Sequence, residues 1–247
     1  MKRYVTGILS ALLVMASLRG FGRDAYPAEP APNQVAQIRL DAVNGDADGQ
    51  YRLALMYYYG HGVTQDYAEA MRWLRRSAAK GHAAAEFGIG GMYQEGLVVM
   101  QDYIEARKWY ERSAAKGNDN AQNQIGYMYQ HGWGVTRDYA EAMRWYRLAV
   151  AKGNDAAEDN IGVMYEHGQG VTRDYAAAMK WYRMSASKGN DEAELNIGNL
   201  YQQGWGVTRD YTEAMKWYKF AAEKGNMEAM NNMRYMNEHG LGGTQNL

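Results

Sequence analysis

The chain has 247 residues, 47% of them hydrophobic and 22% charged, with 28 glycines and three prolines, a globular composition that excludes disordered and collagen-like chains. Lys plus Arg number 27 against 28 Asp plus Glu, a formal net charge of -1, so the broad positive field of a nucleic-acid binder is absent. Zero cysteines exclude disulfides, thiolate nucleophiles, Cys-containing zinc sites and lipid attached through Cys.

Met1, Lys2 and Arg3 give a positive start, and the apolar run Val5 to Ala16 is shorter than the roughly 20 residues that span a bilayer. It reads as a secretory signal, residues 1–16, with Val14-Met15-Ala16 as the cleavage motif and an uncleaved anchor as the alternative. Arg19 and Arg23 interrupt any longer apolar continuation. Export to a bacterial periplasm, or secretion, is therefore expected, with no stable membrane insertion after cleavage. Ala25 to Gln34 holds all three prolines, so 17–35 is expected as an extended tether, and 36–46 as a cap helix that lacks a first partner.

Residues 47–82, 83–118, 119–154, 155–190 and 191–226 then fall into register without a gap as five 36-residue units, and 227–247 begins a sixth. The phase is fixed by Tyr67, Tyr103, Tyr139, Tyr175 and Tyr211, by Trp73, Trp109, Trp145, Trp181 and Trp217, and by the Lys-Gly pairs from Lys80-Gly81 to Lys224-Gly225. Each unit reads as two short helices, A and B, around a glycine loop. Asp66/Glu69, Asp102/Glu105, Asp138/Glu141 and Asp210/Glu213 have the spacing of a reciprocal N-terminal cap, which Ala177 halves in the fourth unit. Lys followed by Gly places a cation at the negative end of helix B and a residue able to close it. Such pairs cannot hide their apolar face alone; stacked, they make an all-α, α/α solenoid. Arg234 and Asn237 replace the Gly and Tyr of the earlier units, so the last helix is expected to meet water and cap the stack.

The pattern A-x-x-x-[IL]-G-x-[ML]-Y-x-x-G-x-G-V-x-x-D-Y-x-x-A-x-x-W-Y, as in 193–218, resembles the Sel-1-like repeat, a relative of the tetratricopeptide repeat. The resemblance implies a right-handed superhelix that serves as a protein-binding adaptor. Some envelope members are immunity proteins that neutralise toxins. A cysteine-rich subgroup linked to β-lactam binding uses a disulfide that this chain cannot make, so that activity, and a cell-envelope hydrolase, stand last. The second unit departs from the pattern at Leu97-Val98-Val99-Met100 and at Arg107.

Function is then sought where the units differ. Ala157, Ile161 and Met164 mark the expected core stripe of helix A. The opposite stripe reads Tyr51, Phe87, Asn123, Asp159, Leu195, Asn231; then Leu55, Gly91, Tyr127, Val163, Asn199, Tyr235; then Tyr59, Glu95, His131, His167, Gln203, His239. By resemblance it lines the concave face, where mixed polarity suits a protein or peptide partner. Partner-binding candidates are Asn123, Tyr127, His131, Asp159, Val163, His167, Asn199 and Gln203, with Asn199 expected at a surface removable without loss of stability. Trp133 and Trp205, each between two loop glycines, are the second candidates, unless they fold over the next unit's loop. The other five tryptophans and the recurring Met71, Met143, Met179 and Met215 are expected in the core. No nucleophile elbow, phosphate loop or His-Glu-x-x-His occurs, and of His131, His167 and His239, which share one repeat position, His131 and His167 stand one helix spacing apart, too far for one ion. The expectation is a protein that is not an enzyme, with no catalytic residue, cofactor or metal.

Overall fold

The computed structural model describes residues 30–242; the expected signal and the tether as far as residue 29 lie outside them. The described residues form twelve α-helices and no strand. After α1 (Pro32–Val43) come helices of type A, namely α2 (Ala47–Tyr59), α4 (Ala83–Glu95), α6 (Asp119–His131), α8 (Asp155–His167), α10 (Asp191–Gln203) and α12 (Met227–Glu238). Helices of type B alternate with them: α3 (Tyr67–Ala79), α5 (Tyr103–Ala115), α7 (Tyr139–Val150), α9 (Tyr175–Ser187) and α11 (Tyr211–Glu223). The chain divides after Arg137 into two compact units, the first ending with α6 and the second beginning with α7.

Helix begins at Pro32, inside the stretch 17–35 expected as an extended tether; proline at that position lacks only an N–H that has no helical partner. Ile38 and Ala42 of α1 pack on Leu53 and Met56 of α2.

Helix A starts on a cap that the sequence pattern did not reveal: His82, Asn118, Asn154, Asn190 and Asn226 each accept the N–H three residues on, a contribution of ~1 kcal/mol for each asparagine. It stops at Gly60, Gly96, Gly132, Gly168 and Gly204, all at positive φ.

Helix B starts on Asp66, Asp102, Asp138, Asp174 and Asp210, each accepting the N–H groups two and three residues on. The reciprocal half of the expected cap does not form. The N–H groups of Asp66, Asp102, Asp174 and Asp210 donate instead to the carbonyls of Tyr57, Tyr93, Tyr165 and Tyr201 at 2.9–3.0 Å. Glu69, Glu105, Glu141 and Glu213 turn outward to Arg72, Lys108, Arg144 and Lys216. Ala177 therefore takes no cap bond from the fourth repeat.

The lysine at the end of helix B does more than face a dipole. Lys116 and Lys188 reach Glu86 and Glu158, each at 2.7 Å, and Lys224 reaches Glu194. Those three carboxylates are buried on helix A of the same repeat. Breaking such a pair costs ~3–5 kcal/mol when both partners are buried, and less here because the lysine ends reach water. Ser77, Ser113 and Ser185 add a second clasp, donating to the carbonyls of Ala47, Ala83 and Asp155 at 2.7 Å.

The core repeats with the chain. Ala157, Ile161 and Met164 are fully buried. The largest fully buried side chains include Tyr110, Tyr146, Tyr182 and Tyr218, one residue after the tryptophans. Trp73, Trp109, Trp145, Trp181 and Trp217, expected in the core, are only half-buried; Arg76 and Arg112 lie over Trp73 and Trp109, both at 4.4 Å. The indole is too large and too polar at one edge for the space the phenol fills. Met71, Met143 and Met179 are buried as expected, and Met215 half-buried.

Tyr110, Tyr182 and Tyr218 fit because the facing helix A carries a glycine. A Cβ built on Gly90 would stand 2.6 Å from Tyr110, and on Gly162 or Gly198 2.5 Å from Tyr182 or Tyr218. The first repeat uses another pair, Ala54 with Leu74, both in one core cluster. At the end, Arg234 is exposed, consistent with the absence of a following helix B among the described residues. In the second repeat, Val98 stands where Gly134, Gly170 and Gly206 have positive φ; its own φ is ordinary, and Met100 beside it is 91% exposed.

This pairing predicts a change of sign. Gly162→Ala should destabilise the wild type by ~1–3 kcal/mol through overpacking. In a Tyr182→Leu background the same change should be neutral or stabilising by up to ~1 kcal/mol, the intrinsic helix preference of alanine over glycine. Urea unfolding of the four chains checks it, and an equal cost in both backgrounds would show that the ring is not the reason.

Candidate protein-binding site

The opposite stripe of helix A is not one exposed column. In the first unit Phe87 is buried against Tyr110 (ring centroids 5.3 Å) and Leu55 is buried, while Asn123 and Tyr127 are half-buried and His131 is exposed. In the second unit Leu195 belongs to the core with Tyr218, Val163 and Asn199 are half-buried, and His167, Gln203 and His239 are exposed. Positions four apart advance about 40° around a helix of 3.6 residues per turn. The stripe therefore spirals from the packed side at its first level to water at its third.

Asp159, expected on the surface, is 8% exposed and accepts from Asn196 Nδ2 at 3.0 Å. Burial pushes its carboxyl up to about 7, against the Asn196 bond, which pulls it down, with Glu192, Glu166 and Asp155 adding repulsion. Asn199, expected to be removable, shares the buried Tyr218 hydroxyl at 2.7 Å with Gln202. The other phenols end alike: Tyr110 donates to Gln94 at 3.1 Å and Tyr182 to Glu166 at 2.6 Å. In the first repeat Tyr58 occupies that acceptor position and donates to Glu95 at 3.1 Å; burial raises Glu95 to about 7, although the Tyr58 bond opposes it.

The sequence reading missed the neighbouring column, Gln124, Asn196 and Asn232, whose amides bridge consecutive helices A to Gln94, Asp159 and Asn199. Recurrence of an amide at that position was the available signal.

Two candidates that sequence kept apart come together in the first unit. Tyr127 lies 4.1 Å from His131 and 5.2 Å from Trp133, and His131 lies 5.7 Å from Trp133 (ring centroids). Trp133 also packs on Tyr103 at 5.1 Å, so it folds back onto the helix B of the preceding repeat instead of over the next loop. The covering of the His131 ring by its neighbours and the Arg137 charge lower its pKa from the usual imidazole value, although the residue keeps an exposed edge. In the second unit Trp205 makes the equivalent contact, stacking on Tyr175 at 5.4 Å while remaining 40% exposed. Among the described residues no three His, Asp or Glu side chains are grouped to hold a metal ion.

The family model described as Sel1 repeat matches residues 47–82, 83–118, 119–154, 155–190, 191–226 and 228–247. Among solved structures the chain is similar to c5321, a protective antigen present in uropathogenic Escherichia coli strains displaying an SLR fold. Identity is 37%, with 86% of this chain and 45% of that one covered and a TM-score of 0.70. This chain thus spans less than half the length of the E. coli protein. It is also similar to a Sel1 repeat protein from Oxalobacter formigenes, at 32% identity over 94% of this chain and 87% of that one, TM-score 0.71. Immunity protein PA5088 from Pseudomonas aeruginosa shares the fold at 17% identity, over 85% of this chain and 80% of that one, TM-score 0.61. No curated protein matches the chain.

The buried carboxyls set a pH dependence. Asp159 ionises near 4 when unfolded and at about 7 when folded. Between those values the folded chain keeps a proton that the unfolded chain has released, so this contribution is full below pH 4 and lost as pH rises through 7. Asp159→Asn, which keeps an acceptor for Asn196, should flatten the fall in Tm between pH 5 and pH 8 and raise Tm at pH 8 by several degrees. Parallel curves for variant and wild type in a thermal melt series would refute this.

Proposed function

The chain belongs to the Sel1 repeat family, and from that membership we propose that it is an exported protein-protein interaction adaptor. It holds a partner protein or peptide on its helix-A face, with neither cofactor nor catalysis. The observation that carries this reading is the four-ring cluster of Tyr103, Tyr127, His131 and Trp133. Large rings that are rigid and partly exposed are the side chains in which binding energy concentrates. The two carboxyls with raised pKa, Glu95 and Asp159, each sit in a helix-to-helix hydrogen bond, so packing accounts for them without a catalytic role. A charged start followed by a short apolar run supports export, and among the described residues no helix is long and apolar enough to cross a membrane.

A second reading, a periplasmic inhibitor that neutralises one toxin or enzyme, draws on the likeness to PA5088, which is described as an immunity protein. That likeness is one of fold, and the adaptor reading stands first.

Residues 17–247, immobilised and exposed to envelope and secreted extracts, should retain a partner. Tyr127→Ala with Trp133→Ala should weaken that retention by at least about tenfold, a hot-spot loss of ~1.4 kcal/mol or more, with helical circular dichroism unchanged. Equal retention by wild type and variant would remove the cluster from the site. Several partners held with modest affinity would mark an adaptor, and one partner held almost irreversibly an inhibitor. Sequencing of the exported protein should begin at Ser17.

A further inference from the structure

We propose that the slot beside Tyr175 is a second binding site, which takes the proline-flanked acidic segment Tyr26–Pro30 of a second copy of this chain. The slot is an open cavity of about 610 Å³ lined by Tyr165, Val171, Thr172, Arg173, Tyr175 and Gly206. Its chemistry rests on Tyr175, which carries the Trp205 indole at 5.4 Å, inclined by 24°, and the Arg173 guanidinium 5.4 Å from its ring centroid. Trp205 is partly open to water and Arg173 is exposed. Among the described residues Arg173 faces no carboxylate within ion-pair distance.

The other repeats supply the comparison. The residues at the Arg173 position are Gln65, Gln101, Arg137 and Arg209, and those at the Trp205 position are Leu97, Trp133, Gln169 and Leu241. An arginine ahead of the tyrosine is combined with a tryptophan in the following loop only around Tyr175. Where glutamine takes the arginine's place the edge is tied shut: Gln65 donates to the Tyr58 carbonyl and the Tyr67 hydroxyl at 2.8 and 3.1 Å, and Gln101 to the Gln94 carbonyl and the Tyr103 hydroxyl at 2.8 and 3.0 Å. Arg173 stands over the ring and leaves its N–H fork open.

The fitting occupant offers flat apolar rings to the Trp205 and Tyr175 pair and one carboxylate to Arg173. Aromatic-lined grooves take proline-rich segments in this way, because proline has little freedom left to lose on docking. A run of acids would be repelled by Asp174, which lines the same slot and caps α9; a single acid is accommodated. Tyr26-Pro27-Ala28-Glu29-Pro30 has one acid between two prolines and a tyrosine ahead of them. This site shares no residue with the four-ring cluster, so it stands or falls apart from the partner-binding reading.

Sedimentation velocity of residues 17–247 over a concentration series tests it. The wild type should self-associate. Arg173→Glu and Glu29→Arg should each weaken association at least tenfold, and the chain carrying both should regain it, because the charges are exchanged in place. Trp205→Leu, the residue that two other repeats use, should weaken association with helical content unchanged. A wild type that stays monomeric at every concentration, or charge variants that associate as the wild type does, would overturn the proposal, as would failure of the double exchange to restore association.

Discussion

A tyrosine ring filling the space where a helix backbone carries no side chain sets the geometry of this protein. Tyr110, Tyr182 and Tyr218 lie against Gly90, Gly162 and Gly198 so closely that even a methyl group would collide. Helices A and B of those repeats are thereby held nearer than larger side chains would allow. The phenol brings a hydroxyl into an apolar interior, where an unpaired group costs ~1–3 kcal/mol. Gln94, Glu166 and Gln202 answer it. One aromatic choice on helix B thus dictates a glycine and an amide or acid on helix A. Where the first repeat uses Leu74 instead, alanine replaces the glycine and Tyr58 stands at the acceptor position.

Fold class and repeat period were legible in sequence because they depend on residue types recurring at one spacing. The function of individual positions was less so. Trp-Tyr pairs recur together, and only packing volume decides that the tyrosine enters the core while the tryptophan stays at its margin. Asp and Glu three residues apart have the spacing of a reciprocal cap, yet the loop brings the N–H groups of Asp66, Asp102 and Asp210 under tyrosine carbonyls and leaves Glu69, Glu105 and Glu213 no donor to satisfy there. The variable stripe of helix A reads in sequence as a straight column, but steps of four rotate around a helix, so Asp159 sits at its buried edge and His167 at its exposed one. The meeting of Tyr127, His131 and Trp133 joins a helix to its following loop, which no periodicity reports.

Charge is sorted by helix type. α8 and α10 carry seven acidic residues between them and neither lysine nor arginine, whereas α9 and α11 supply the cations. Glu158 and Glu194 are neutralised from those helices at one end. Asp159, further along, has an amide in place of a cation, and its burial raises its pKa to about 7, so that it is only partly ionised at neutral pH.

The ring, glycine and hydroxyl acceptor of a joint all lie inside one 36-residue repeat in the second, fourth and fifth copies. A whole copy can then be gained or lost by the gene without parting any phenol from its glycine, since both partners travel together. Array length becomes a quantity that duplication can adjust in steps, separately from the chemistry of each joint. The E. coli relative, more than twice as long as the stretch that matches it, shows the latitude such construction allows.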